Sequence, residues 1–128
     1  MFGLKRKQFT LLFLASVCFF PLQLFAEVHA GVKNGVINFA VYSEFPPYSY
    51  KDEDGRVKGV DVDIAKAIAE RLQVQVGFRL FLADESVGDD LRNMVWKGHY
   101  LAGDPADIMM HAPYDANFAK DNDKVIFT

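Results

Sequence analysis

Residues 36–72 read VINFAVYSEFPPYSYKDEDGRVKGVDVDIAKAIAERL, and they decide the fold. The first seven, 36–42, are almost continuously apolar and rich in β-branched and aromatic side chains, which is typical of a strand covered on both faces. Pro46 and Pro47 cannot extend a strand ladder, so we expect the chain to leave the sheet there. The sequence DEDG at 52–55 then predicts a turn.

The clearest helix of the sequence follows this turn. Asp61 lies where an N-cap is expected, and Asp63 falls in the first turn, where a carboxylate is favourable. Apolar residues then recur at three- and four-residue spacing, namely Val62, Ala65, Ile68, Ala69 and Leu72. This spacing predicts a helix with one apolar face, and capping alone would account for Asp61.

Later segments repeat the alternation of strand and helix. Residues 74–82 alternate with period two and predict a strand with one wetter face. Residues 90–98 carry an apolar stripe and end at Lys-Gly, which is typical of a helix C-terminus. Residues 107–110 predict a third strand, and 125–127 form a last apolar segment.

The order strand, helix, strand, helix, strand predicts an α/β fold with a parallel βαβαβ sheet and helices on both faces. Ligands of such sheets bind beyond the carboxyl ends of the strands, where the segments 43–48, 83–90 and 111–115 converge. No glycine-rich loop follows the first strand, so a nucleotide site is not expected.

The first thirty residues differ in composition from the rest of the chain and form a separate unit. A basic cluster at 5–7 precedes an uncharged apolar run at 9–25, and small residues at Ala26 and Ala30 offer two cleavage points. This pattern predicts a secretory signal peptide over residues 1–30, export to the periplasm, and a folded domain over 31–128.

Two alternatives for the N-terminus are weaker. Pro21 and Gln23 interrupt the apolar run, which makes an uncleaved transmembrane anchor doubtful. Cys18 could carry a lipid, but Val17 stands before it where a small residue is wanted.

Composition narrows the function classes. The chain has 128 residues, of which 51% are hydrophobic and 24% charged, with a net charge of -3. No basic cluster follows residue 8, so nucleic-acid binding by a basic face is not expected. Cys18 is the one cysteine and leaves with the leader, which excludes disulfides and cysteine metal sites. No cofactor or metal is predicted.

Residues 36–72 resemble the start of the type-3 periplasmic solute-binding proteins of ABC importers. The similarity lies in the first strand, the aromatic-proline loop, the acidic turn and the GVDVDIAKAIA block at 59–69. The helix at 91–98 and the strand at 106–110 follow in matching order, and the VIFT sequence at 125–128 resembles the family's next strand.

The resemblance implies a type II periplasmic-binding-protein-like fold, in which two lobes close on a small polar solute and pass it to a membrane permease. This chain would supply most of lobe one. We expect it to be truncated before the second lobe, which is missing.

The resemblance also implies site residues by position. Phe45 matches an aromatic residue that packs on the ligand, and His111, Ala112 and Tyr114 match contact positions after the third strand. Tyr48 is a further candidate, and Glu44, Asp61 and Asp115 are secondary ones.

Each of these residues also has a structural interpretation. Phe45 and Tyr48 could simply seal the proline loop, and His111 could form a hydrogen bond in the core. Amino-acid receptors place an arginine shortly after the third strand, whereas residues 116–120 offer Lys120 as their one cation, so the solute stays open.

Two other functions use the same fold. A dehydratase-like enzyme is one alternative, because Glu44, His111 and Asp115 fall at the predicted crevice and a carboxylate with an imidazole can transfer protons. The extracytoplasmic sensor domain of a signalling protein is the other. Binding without catalysis is preferred, because the sequence shows no nucleophile-base pair and no metal spacing.

Overall fold

The structure is a computed structural model that describes residues 32, 34–99 and 103–128. The elements in chain order are β1 (Val36–Tyr42), β2 (Glu44–Phe45), β3 (Ser49–Lys51), β4 (Val57–Lys58), α1 (Val60–Arg71), β5 (Gln75–Phe81), α2 (Val87–Leu91), a π-helical turn (Arg92–Trp96), β6 (Ile108–Met109) and α3 (Ala116–Asp121). The predicted signal peptide at 1–30 lies outside the described residues. Among those residues, no helix combines the length and the apolar character that crossing a membrane requires.

β1 is the centre of a three-stranded parallel sheet in the order β5-β1-β6. Its whole length pairs with β5, from Val36 opposite Gln75 to Tyr42 opposite Phe81. β6 pairs with the middle of β1, where Phe39 stands opposite Ile108. The predicted α/β class with a parallel sheet is therefore confirmed.

The two faces of β1 bury different layers, because successive side chains of a strand point to opposite sides. Ile37, Phe39 and Val41 pack with Ala65 and Ala69 of α1. On the other face, a second cluster is formed by Ala40, Tyr42, Phe81, Met94 and Ala106. Met94 belongs to the π-helical turn, so helical segments cover both faces of the sheet as predicted.

A second, antiparallel sheet in the order β2-β3-β4 connects β1 to α1, and the sequence analysis did not anticipate it. The predicted turn at 52–55 joins β3 to β4. Asp52 accepts the backbone N–H groups of Asp54 and Arg56, and its Oδ2 lies 2.7 Å from Lys58 Nζ. The hydrogen bond from Lys58, followed by that from the Arg56 backbone, lowers the pKa of Asp52 to about 2. These contacts stabilise the turn between β3 and β4.

The predicted N-cap role of Asp61 is wrong. The N-cap is Gly59, and α1 has no side-chain capping hydrogen bond. The backbone N–H of Val60 donates to Pro47 O at 3.2 Å, and that of Asp61 donates to Tyr48 O at 2.9 Å. Because carbonyls of the proline loop already accept these N–H groups, the Asp61 carboxylate is not needed as a cap.

The second helical segment begins three residues before its predicted start. Ser86 caps α2 by accepting the Asp89 N–H at 3.1 Å, a signal that the sequence analysis overlooked. The chain then passes into the π-helical turn, and Gly98 follows with a φ of 81°. That left-handed conformation favours glycine and agrees with the predicted end at 98.

Two strand predictions need correction. β5 ends at Phe81, whose side chain is buried on the face that was expected to be wetter, whereas Leu82 is 65% exposed. Residues 125–127 form no strand. Phe127 instead packs edge-to-face on Phe118 of α3, with ring centroids 5.6 Å apart.

Candidate functional site

Three rings meet where β1 and β6 end. Phe45 of β2 stacks on Tyr48, with ring centroids 5.1 Å apart and an angle of 28° between the planes. His111, two residues after β6, lies edge-on to Phe45 at 4.8 Å and is tilted against Tyr48 at 4.4 Å. The structure thus brings together three of the predicted site residues at the carboxyl edge of the parallel sheet, where ligands of this fold class bind.

A cavity of about 260 Å³ opens beside this ring cluster. Its lining is largely apolar and comes from the end of β1, from β2, from the loop after β5, from the start of α2 and from the segment after β6; the residues are Tyr42, Glu44, Phe45, Leu82, Ala83, Val87 and His111. The volume lies just below the range of about 300–1,000 Å³ that is usual for small-molecule pockets. We call this cavity the edge cavity.

Tyr42 and Asp90 form a buried pair at the edge cavity. The Tyr42 hydroxyl donates to Asp90 Oδ2 at 2.8 Å, and Asp90 Oδ1 accepts the backbone N–H of Asp84 at 2.9 Å. Asp90 is only 2% exposed. Burial, with a smaller contribution from Asp90, raises the pKa of Tyr42 far above its usual value, so the hydroxyl keeps its proton.

Asp61 lies on the ring cluster's other side and faces His111. His111 Nδ1 lies 3.3 Å from Asp61 Oδ2, and the Asp61 side chain is 8% exposed. This contact is an ion pair when the imidazole is protonated. His111 also has a φ of 63°, a left-handed conformation that non-glycine residues seldom adopt and that recurs at functional sites.

The remaining predicted residues lie elsewhere or have other partners. Tyr114 is 87% exposed and lines, with Asp115, a second cavity of about 460 Å³. Every residue that lines it lies between 114 and 127, so it is formed within one short stretch of chain. Asp115 caps α3 by accepting the N–H groups of Asn117 and Phe118. Ala112 is half-buried next to His111.

Sequence reasoning missed several contributors to the edge cavity. Tyr42 was assigned to the strand core, and Leu82 to the covered side of β5. Asp90 falls at the start of the helix that the sequence predicts over 90–98.

The chemistry available at the edge cavity is limited to a few groups. Apart from Tyr42, the titratable side chains among its lining residues are Glu44 and His111. They can exchange hydrogen bonds with a solute, and the aromatic rings offer apolar faces. Among the described residues, no three His, Cys, Asp or Glu side chains are grouped so that they could hold a metal ion.

Comparisons with known proteins find one family match and several partly similar structures. Residues 37–91 match the bacterial extracellular solute-binding proteins, family 3. Among solved structures, an ancestral arginine-binding protein bound to arginine is 42% identical over 37% of this chain and 21% of its own length, with a TM-score of 0.36. An ancestral cationic amino acid solute-binding protein is 28% identical over 53% of this chain and 29% of its own, with a TM-score of 0.42.

An enzyme is also among the similar structures. An ancestral cyclohexadienyl dehydratase is 33% identical over 45% of this chain and 24% of its own length, with a TM-score of 0.41. The matched parts span about a quarter of the length of these solved structures. Residues 37–91 contain the proline loop, α1, β5 and all of β1 except Val36, and the family match over this segment agrees with the sequence resemblance.

Proposed function

We propose that this chain supplies part of lobe one of the exported substrate-binding component of an ABC importer, and that the edge cavity is its share of the solute site. The observation that carries the proposal is the convergence of Phe45, Tyr48 and His111 at the ends of β1 and β6. The family match over residues 37–91 supports a binding role.

The exposure of the ring cluster supports binding between two lobes. Phe45 and Tyr48 are 39% and 40% exposed, so their rings are open to a partner on one side. A solute on them would stay partly hydrated until a second lobe covered it. We expect affinity in the micromolar range, on the order of -8 kcal/mol, for the two-lobed protein, and much weaker binding for this chain alone.

Export is the part of the proposal that rests on the N-terminal sequence. We expect the exported chain to begin at Gly31 or Glu27, because the small-residue cleavage points precede these positions. N-terminal sequencing of the periplasmic fraction measures this. A full-length chain retained in the membrane would contradict cleavage and would favour a sensor domain.

A dehydratase is the second candidate, because Glu44 and His111 line the same cavity. Their carboxylate and imidazole could move the protons that the loss of water requires. In the structure the Glu44 carboxylate is exposed and the His111 ring faces Asp61. The same arrangement would also serve a site that only forms hydrogen bonds with a solute.

The two functions can be separated by one panel of measurements. Amino acids, amines and prephenate-like acids are titrated by calorimetry into the two-lobed protein, and each mixture is then assayed for product. We expect heat of binding without product, and at most a change in affinity for Glu44→Gln and His111→Ala. Product formation that both substitutions abolish would move the assignment from receptor to dehydratase, and a panel without any binding would contradict the receptor.

A further inference from the structure

We call the lining residues Tyr42, Leu82, Ala83 and Val87 the floor of the edge cavity. Of these four side chains, that of Tyr42 alone has a hydrogen-bonding atom. Tyr42 forms part of the lining, but its hydroxyl is committed to Asp90, which is buried behind it. The Tyr42 ring also contacts the rings of Phe81 and Phe45, at centroid distances of 4.5 and 5.8 Å. The surface that Tyr42 presents to the cavity is therefore the face or edge of a ring.

The rest of the floor is apolar as well. Leu82, Ala83 and Val87 also line the cavity, and none of their side chains has a hydrogen-bonding group. Glu44 and His111 supply the charged and hydrogen-bonding side chains of the lining. The lining thus combines an apolar floor with two polar residues.

Asp90 also holds the loop that carries this floor. By accepting the Asp84 N–H as well as the Tyr42 hydroxyl, its carboxylate connects the end of β1 to the chain after β5. Both carboxylate oxygens are used within the protein, and at 2% exposure Asp90 is not available to a solute. Its role is to position other groups.

We propose that the edge cavity selects solutes that carry an apolar side chain, and that Asp90 is the positioning residue that sets this preference by keeping the Tyr42 hydroxyl away from the solute. The inference rests on the proposed binding function and names the solute class of that same site. Polar groups of the solute would stay near Glu44 and His111, and its aliphatic or aromatic part would cover Tyr42, Leu82 and Val87.

Leucinamide and asparaginamide are the probes for a direct test, because they share a head group and their side chains have nearly the same size and branching. Both are titrated into the purified chain, with binding followed by NMR chemical shifts. We expect leucinamide to bind at least tenfold more tightly, since the floor can desolvate its side chain but cannot form hydrogen bonds with an amide. Equal binding of the two probes, or tighter binding of asparaginamide, would overturn the inference and leave the binding function standing. Binding of neither probe, nor of any solute in the calorimetric panel, would overturn both.

The role of Asp90 is tested by the ratio of the two affinities in three variants. In Asp90→Ala, the Tyr42 hydroxyl loses its acceptor, and we expect the preference for leucinamide to fall at least threefold. In Tyr42→Phe/Asp90→Ala, no hydroxyl remains, and the preference should return. Tyr42→Phe alone removes the hydroxyl and retains Asp90, so the preference for leucinamide should be unchanged. This variant can be measured even if Asp90→Ala does not fold.

Glu85→Gln is the matched control, because it removes an exposed carboxylate from the same loop. Its preference should equal that of the unchanged chain. If the double variant fails to recover the preference although its NMR spectrum shows a folded chain, Asp90 acts only through the structure of the loop and the assignment as a specificity determinant is wrong. A loss of preference in Tyr42→Phe would contradict it as well.

Discussion

Phe45→Ala is expected to weaken solute binding by at least tenfold, about 1.4 kcal/mol, in the two-lobed receptor that we propose. The Phe45 ring lines the edge cavity and contacts Tyr48 and His111, so its loss removes one wall and leaves the other two rings with one contact fewer. Titration calorimetry with a solute that the panel identifies measures the change. An unchanged affinity would reduce Phe45 to a residue that seals the proline loop.

Two control variants locate this effect. Tyr114→Ala removes an aromatic ring that lines the second cavity, and we expect it to leave the affinity within about twofold. Glu44→Gln keeps the size of its side chain and removes its charge, so it should matter little unless the solute is cationic. If Tyr114→Ala costs more affinity than Phe45→Ala, the solute binds at 114–127 and the edge cavity is not the site.

Gly59→Ala is expected to destabilise the chain by about 3 kcal/mol or more. Gly59 has a φ of 124°, which L side chains seldom adopt, and a Cβ atom there would overlap the Tyr48 carbonyl and lie 2.9 Å from Pro47 O. Those carbonyls accept the first N–H groups of α1, so the methyl group would also disturb the ring cluster. Urea unfolding followed by circular dichroism measures the loss.

Gly55→Ala is the matched control for Gly59→Ala. Its φ of 77° is also positive, but a Cβ atom there would have no neighbour within 4 Å. We expect it to cost only about 1–2 kcal/mol, from the backbone conformation alone. Equal losses for both variants would show that the close approach of Gly59 to the proline loop contributes nothing.

The parallel sheet could be predicted because its signals are local and redundant. The apolar run of β1 and the helical spacing of α1 each point to one element, and the connections between them leave few topologies. The antiparallel sheet could not be predicted in this way. β2 and β4 have two residues each, which is too short for a periodic pattern.

The candidate site was predictable only in part. Phe45 and His111 each follow a predicted parallel strand, so the sequence places both at the same edge of the sheet, and in the structure their rings are in contact. Asp61 was interpreted as a cap because the sequence does not reveal that backbone carbonyls of the proline loop satisfy the start of α1. The Tyr42–Asp90 pair joins residues separated by 48 positions, and no local pattern reports such a contact.

The central position of β1 has a consequence for how the chain reaches its fold. β1 is the first strand of the sheet to be synthesised, yet both of its partners come after a helical segment, so neither edge can be paired by a hairpin. Contacts between distant parts of a chain close slowly, because the loop entropy is lost before the contacts form. Folding is therefore expected to wait for β5 and β6. A newly made chain with this topology therefore stays unfolded, and able to pass through a narrow channel, for longer than a helical bundle of equal length would.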